Sequence, residues 1–138
     1  MQIIRKSSWV AACASVVIGL AVALPAQAEP FTEADLKKYQ DEFMASVTRG
    51  DDLSHGGIKG NNVACAQCHP NGANMHPETY PKFQKQLGKV SQFYEMVNWC
   101  VENLLEGKAM AADSADMIDV IAYNTYERRG VPLAPGKH

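Results

Sequence analysis

The pentapeptide Cys65-Ala66-Gln67-Cys68-His69 is the most informative stretch of this chain. Two cysteines separated by two residues and followed at once by a histidine form the C-x-x-C-H signature for attachment of a c-type haem. Thiols at this spacing reach one porphyrin edge, and the adjacent imidazole reaches the iron from the same side. The pattern predicts one covalently bound haem c, held by thioether bonds to Cys65 and Cys68, with His69 as the proximal iron ligand. The other ring N–H of His69 is expected to donate to a backbone carbonyl from the segment that contains Pro77 and Pro81.

Two other uses of a paired C-x-x-C are disfavoured by the rest of the sequence. A zinc site would need a second pair of cysteine or histidine ligands at a matching spacing, and the sequence contains no such pair. A thioredoxin-like redox pair belongs to a βαβ pattern, whereas the apolar spacing here is helical. Haem attachment is therefore the favoured interpretation.

Length and charge narrow the class of protein further. The chain has 138 residues, of which 46% are hydrophobic and 20% are charged, and this length fits one small domain. Lys and Arg number 13 against 15 Asp and Glu, so the basic excess typical of nucleic-acid binding is missing. The composition also excludes collagen-like, coiled-coil and disordered chains.

The first 28 residues are typical of a secretory signal peptide. Two basic residues precede an apolar run over residues 9–24, and Ala26-Gln27-Ala28 is a small-residue cleavage site. The run is short for a membrane span, which needs about 20 apolar residues. We therefore expect cleavage after residue 28, a periplasmic monohaem domain over residues 29–138, and no membrane span in the cleaved protein.

Apolar spacing and capping residues predict helices joined by loops. The predicted helical segments run from the Thr32 cap to Gly50, over a short turn at 64–69, over 81–87 with Pro81 in the first turn, over 92–105 with Ser91 as cap, and from the cap at 113–116 to Gly130. We expect the first and last of these helices to pack against each other beside the haem. The last helix is given an apolar stripe of Met117, Ile118, Ile121 and Tyr126. Alternation at period two is not found, so no sheet is predicted, and the Pro-rich tail at 131–138 is expected to fray.

The identity of the second axial ligand decides the chemistry of the iron. The candidates are His55, Met75, His76, Met96, Cys100 and Met110. Of these, Met75 and His76 are expected near the proximal edge of the haem, Met96 in core packing and His55 in a solvated loop. Cys100 shares a helical face with Phe93, Val97 and Leu104, so it would point at the haem. It could also be a small buried hydrophobic residue or form an intermolecular disulfide. Met110, in the loop before the last helix, is the main alternative ligand.

The order of these segments resembles class I c-type cytochromes over residues 31–129. Scattered positions resemble the haem domains of thiosulfate-oxidising cytochromes more closely. These include the Sox cytochrome A subunit and thiosulfate dehydrogenase. The same positions are also similar to small monohaem cytochromes of anammox bacteria. The matching positions are Tyr80-Pro81-Lys82-Phe83, Leu87-Gly88, Trp99-Cys100-Val101, Gly107-Lys108, Ala112-Asp113-Ser114 and Met117.

The resemblance implies an all-α class I cytochrome c fold, with about four helices around one covalently bound haem. In the thiosulfate-oxidising cytochromes a cysteine from the helix after the Pro-aromatic segment binds iron opposite the histidine, and the matching position is Cys100. Class I cytochromes more generally carry a methionine ligand near the position of Met110. The thiosulfate enzymes combine several haems, whereas this sequence has a single C-x-x-C-H.

The predicted function is electron transfer by a periplasmic monohaem cytochrome. A His69/Cys100 ligand pair would give a low reduction potential, because a thiolate stabilises ferric iron. The protein would dock with a redox partner, and the sequence is compatible with either a homodimer or a heterodimer. Two alternatives remain, a cytochrome that binds nitric oxide or carbon monoxide and a haem subunit of an enzyme that oxidises sulfur compounds. We expect a carrier or redox subunit rather than an independent enzyme.

Overall fold

The computed structural model describes residues 30–138, and the predicted signal peptide lies outside the described residues. The helices are α1 (Glu33–Asp52), α2 (Cys65–Cys68), α3 (Phe93–Asn103) and α4 (Ala115–Glu127). Strands β1 (Lys82–Gln84) and β2 (Lys89–Ser91) form an antiparallel hairpin, and single helical turns lie at Leu53–Gly57, Pro70–Gly72 and Pro77–Thr79. Within the described part of the chain, no helix is long and apolar enough to cross a bilayer.

Local capping explains where the first and third helices begin. The Thr32 hydroxyl accepts from the backbone N–H of Asp35, and the Asp35 carboxylate accepts from the backbone N–H of Thr32. This reciprocal pair confirms the predicted start of α1. The predicted cap of α3 is wrong by one residue, because Gln92 takes that place and its N–H donates to the Glu95 carboxylate at 2.7 Å. Ser91 is instead buried at the end of β2.

The prediction that Gly50 ends the first helix is wrong. Helix α1 continues to Asp52 and passes directly into the turn that ends at Gly57. Gly50 is buried where α1 crosses α4, and a Cβ atom there would lie 2.0 Å from the carbonyl oxygen of Asp119. The missing side chain lets the two backbones touch. The expected packing of the first helix on the last is confirmed, and Arg49 reinforces it by binding the Asp119 carboxylate at 2.7 and 2.9 Å.

The apolar stripe assigned to α4 is only partly correct. Met117 is fully buried, but Ile118 is 51% exposed. The buried positions also include Val120, Tyr123 and Asn124. Helix α4 packs against both α1 and α3, so it is buried over a wider arc than the single stripe expected for a helix that covers one face of a core.

The predicted helix over 81–87 is also wrong, because this segment forms the β1–β2 hairpin. Gly88 has a φ of +66°, a left-handed conformation that glycine adopts without strain. It supplies the reversal between the strands, and Phe83 pairs directly with Val90 across them. The helix prediction relied on Pro81 as a first-turn residue and gave this turn glycine too little weight.

The C-terminal tail is not frayed as predicted. The N–H of Ala134 donates to the carbonyl of Glu78, and the N–H of Gly136 donates to the carbonyl of Thr79, both at 2.9 Å. The Glu78 side chain in turn accepts a 2.7 Å hydrogen bond from Arg128, the residue that follows α4. The tail, the end of α4 and the segment before the hairpin are therefore tied together.

Replacing Gly50 with alanine is expected to destabilise the protein by about 1–3 kcal/mol, because the new methyl group meets backbone that must move. The sign of this change in stability is informative, because a glycine-to-alanine change at an exposed helix position stabilises a protein by up to about 1 kcal/mol. Urea denaturation followed by circular dichroism measures the difference. Thr48→Ala on the exposed side of the same helix is the control, and equal stabilities of the two variants would contradict the close contact.

Glu78 is expected to make the protein acid-sensitive. Burial acts to raise the pKa of this carboxyl, but hydrogen bonds from Arg128 and His76 outweigh it and lower the pKa from 4.5 to about 2. A carboxyl with a depressed pKa stabilises the fold above its unfolded pKa and loses that contribution as the pH falls through the folded value. Stability should therefore decline between about pH 4.5 and 2.

The variant Glu78→Gln should lose about 1–3 kcal/mol at pH 7 and show a shallower decline between pH 4.5 and 2. Urea midpoints measured across this pH range test the expectation. Glu102→Gln, at an exposed position, supplies the comparison for loss of one surface charge. If both variants follow the pH profile of the parent protein, the ion pair with Arg128 contributes nothing to acid sensitivity.

Candidate haem-binding site

Helix α2 places the three residues of the C-x-x-C-H signature on the wall of one cavity. Its single turn is closed by a 2.8 Å hydrogen bond from the N–H of His69 to the carbonyl of Cys65. None of the three described cysteines forms a disulfide. The thiols of Cys65 and Cys68 are thus available for thioether bonds beside the imidazole.

The His69 ring is held by its own loop. Its Nδ1 donates to the carbonyl of Ala73 at 2.8 Å, which leaves Nε2 as the free lone pair that a metal ion can bind. A backbone carbonyl partner was predicted, but it was expected from the segment of Pro77 or Pro81. Asn71 and Asn74 adopt left-handed conformations that reverse the chain at once, so the carbonyl comes from nearer in sequence.

The cavity beside the signature has the apolar lining of a cofactor site. The space between its walls is about 600 Å³, part of which is open to solvent. Most of its walls are apolar, and the residues outside the signature that line it are Ser54, Val63, Ala64, Met75, Val97, Cys100, Leu104, Leu105, Val120, Tyr123 and Asn124. We call this space the haem cavity.

A second cavity adjoins the first and is more polar. Both are lined by His69, Met75, Val97 and Cys100. The second is also lined by Asn74, Tyr80, Lys82, Gln84, Phe93 and Met96. We call this space the polar cavity. The hairpin and the segment before it therefore form the wall that faces Cys100.

Cys100 lines both cavities from α3, as its predicted helical face required. Burial raises the pKa of its thiol, and the charges of Cys65 and Cys68 raise it further. Burial also raises the pKa of the Cys65 thiol. A backbone hydrogen bond opposes this effect, and the charge of Cys68 adds to it. Cys65, Cys68, His69 and Cys100 all line the haem cavity, so the structure brings the signature and Cys100 together.

Met110 is held away from the haem cavity. Its backbone N–H and carbonyl both bind the Asn98 side chain, at 2.9 and 2.8 Å. Asn98 precedes Cys100 by two positions, which is about 200° around a helix of 3.6 residues per turn. Among the described residues that line either cavity, Met110 is not found. It packs instead against the buried cluster that includes Val101.

The other candidate ligands divide into two groups. His55 is exposed and its Nδ1 lies 2.9 Å from the carbonyl of Asp51, so it faces solvent. His76 binds Glu78 at 3.0 Å, beside the C-terminal tail. Met75 and Met96 both line the polar cavity. Met75 was expected near the proximal edge and also lines the haem cavity, whereas Met96 was expected to be core packing.

Several polar residues of the haem cavity were missed at the level of the sequence. Asn124 is buried there and its side chain donates to the carbonyl of Val120 at 2.8 Å. Burial, followed by the charges of Asp51 and Glu127, raises the pKa of Tyr123 to about 12. The one-stripe view of α4 placed these residues outside the core, and no local motif marks them.

These residues fit a covalently attached haem. The site offers a free thiol pair, an imidazole with Nε2 available, apolar walls and a further thiol, that of Cys100 from α3. A haem is a large apolar plate, and its burial would add to a core whose buried residues form only two small clusters.

A known protein family matches most of the described chain. Residues 50–133 match the family described as SoxA/TsdA, cytochrome c domain. The thiosulfate dehydrogenase of Psychrobacter arcticus is 33% identical, with 67% of this chain and 33% of that protein covered. That of Allochromatium vinosum is 30% identical, with 54% and 32% covered. The matched region amounts to about a third of each relative.

Among solved structures, SoxXA from P. pantotrophus has a similar fold. The TM-score is 0.62 at 23% identity, and the match covers 70% of this chain and 38% of that one. At this identity the likeness concerns the fold alone. Together with the family match, it confirms the predicted all-α class I cytochrome c fold, to which the β1–β2 hairpin is an addition.

Proposed function

This chain belongs to the SoxA/TsdA cytochrome c domain family, and we propose that it is a monohaem electron-transfer module of a system that oxidises sulfur compounds. The observation that carries the proposal is the haem cavity, where Cys65, Cys68 and His69 from one segment meet Cys100 from α3. When bound, haem c supplies a centre that accepts and donates one electron at a time.

Each residue of the site has a separate role in this proposal. The thiols of Cys65 and Cys68 form the thioether bonds, and Nε2 of His69 binds the iron. The hydrogen bond from His69 to Ala73 keeps the ring in one tautomer and one orientation. Cys100 supplies a thiolate as the second axial ligand. Metal binding deprotonates a coordinating thiol, so the raised pKa of the free thiol does not oppose this role.

The ligand pair sets the direction of the reduction potential. An anionic thiolate donates charge to iron and stabilises the ferric state, whereas a methionine thioether favours the ferrous state. A His69/Cys100 pair therefore gives a low-potential centre. Cys100 is favoured as the ligand because it lines the haem cavity, whereas Met110 is not among the described residues that line either cavity and its backbone is bound to Asn98.

The location and partners follow from the same proposal. We infer export to the periplasm through cleavage of residues 1–28, on the evidence of the apolar run and the Ala26-Gln27-Ala28 site. Electrons would be exchanged with a separate redox protein. The region matched here spans about a third of the length of each of the two relatives.

Electron paramagnetic resonance of the ferric holoprotein tests the ligand assignment. The parent protein should give a low-spin spectrum of a histidine–thiolate pair, and Cys100→Ala should replace that signal and raise the reduction potential by roughly 0.1 V. Met110→Leu is the matched control and should leave both unchanged. A methionine-to-iron charge-transfer band that disappears in Met110→Leu would contradict the assignment. A colourless chain after co-production with the haem-attachment machinery would contradict haem binding itself.

A second candidate function is catalysis of thiosulfate oxidation at Cys100. It is favoured by the two relatives, which are thiosulfate dehydrogenases, and by the polar cavity, where Lys82 places a positive charge near Cys100. Joining two thiosulfate ions through a sulfur–sulfur bond releases two electrons, whereas a single haem accepts one. A second acceptor is therefore required.

The expected outcome for the isolated holoprotein is no sustained turnover with thiosulfate. Stopped-flow absorbance should show at most one electron taken up per chain, with the amplitude of haem reduction unchanged by further thiosulfate. The Cys100→Ala holoprotein is the comparison for any uptake that depends on the thiol. Multiple turnovers by the isolated chain with a soluble oxidant, lost in Cys100→Ala, would favour an independent enzyme over an electron-transfer module.

A further inference from the structure

The two faces of the β1–β2 hairpin have different surroundings. The register pairs Lys82 with Ser91, Phe83 with Val90 and Gln84 with Lys89. Residues directly opposite one another project to the same face, and successive residues alternate. Lys82 and Gln84 line the polar cavity and Ser91 is buried, so their face is the inner one. Phe83 and Val90 form the outer face and are 50% and 65% exposed.

The outer face is an apolar pair surrounded by positive charge. Residues 79–94 contain three lysines and no Asp or Glu, although the whole chain has a formal net charge of −2. Lys85 is exposed beside the turn. The docked C-terminal tail adds a further lysine, because Lys137 lines the same cleft as Lys82.

The carboxylates nearest to this surface are already paired. Glu95 binds Lys89 at 2.5 Å and Glu78 binds Arg128 at 2.7 Å. Lys82 lies 4.8 Å from the centre of the Tyr80 ring, a cation–π contact on the inner side of the hairpin. The charge beside the outer face therefore comes from Lys85 and from Lys137 of the docked tail. Together with Phe83 and Val90 these two lysines make up what we call the hairpin surface.

We propose that the hairpin surface is the docking site for an acidic redox protein, an inference that rests on the proposed electron-transfer function. An apolar centre with a charged rim is the usual composition of a transient protein interface. The inner side of the same hairpin lines the cavity that contains Cys100. A partner on the outer face is thus separated from the redox site by a single layer of sheet.

The charge pattern also selects the occupant. A symmetric dimer through this surface would bring the lysine rims of two copies together, and like charges across an interface cost several kcal/mol. An acidic partner would instead be attracted, and electrostatic steering would increase its rate of association. The occupant is therefore a carboxylate-rich protein and not a second copy of this chain.

A pair of electron acceptors with the same haem and opposite charge tests the proposal. Oxidised basic cytochrome c and its acidic succinylated form each accept one electron from the reduced holoprotein. Stopped-flow absorbance measures the rate of each reaction. At low ionic strength the succinylated form should react faster, and salt should slow it by roughly tenfold or more. A faster reaction of the basic form at low salt would overturn the proposal.

Substitutions locate the effect on the molecule. Lys85→Glu should slow the reaction with the succinylated form by about 3–10-fold at low salt, and Val90→Thr should slow it at all salt concentrations by removing apolar contact. Lys38→Glu is the matched control, since it makes the same charge change on α1, and no α1 residue lines either cavity. Equal effects of Lys85→Glu and Lys38→Glu would overturn the assignment of the site.

A binding measurement separates docking from electron transfer. Carbodiimide joins lysines to carboxylates of the succinylated cytochrome, and peptide mass spectrometry should find the cross-links at Lys85 or Lys137. Cross-links confined to other lysines, or sedimentation showing a dimer that Lys85→Glu disrupts, would contradict the proposal. A red holoprotein that fails these tests leaves the electron-transfer function intact, whereas a colourless chain removes that function first.

Discussion

The close crossing of α1 and α4 is the contact on which the described fold depends most directly. Gly50 meets the backbone of Asp119, and no larger residue could occupy its position without displacing a helix. Arg49 and Ser46 bind the Asp119 carboxylate on the same face. Helix α4, held in this way, presents Val120, Tyr123 and Asn124 to the haem cavity.

The ion pair at this crossing contributes orientation more than free energy. The hydrogen bond from Arg49 lowers the pKa of Asp119, against the effect of burial, and Ser46 adds to the decrease. The Asp119 side chain is almost fully buried, but that of Arg49 is largely exposed. An ion pair with one solvated partner is worth at most about 1 kcal/mol. Breaking it would still leave a buried carboxylate uncompensated, which explains why two residues bind it.

The site combines short-range and long-range constraints. The thiols of Cys65 and Cys68 and the imidazole of His69 come from one turn and its adjoining loop, and the Ala73 carbonyl that orients His69 is four residues away. Cys100 reaches the same cavity from a helix more than thirty positions later. The first group is set by local geometry. The position of Cys100 depends instead on how α3 packs between the hairpin and α4. The distal side is therefore the variable part of the site.

Local patterns in the sequence were sufficient for the C-x-x-C-H site, the cap of α1 at Thr32 and the helical face of Cys100, because each is determined within a few turns of chain. They did not predict the close helix contact at Gly50, the wide buried arc of α4 or the β1–β2 hairpin. Gly50 looks like a helix terminator until a second helix lies against it, and the burial of Tyr123 and Asn124 is defined by partners distant in sequence. The clamp of Asn98 on Met110 and the docking of the tail on Glu78 likewise join segments that come together only when the chain has folded.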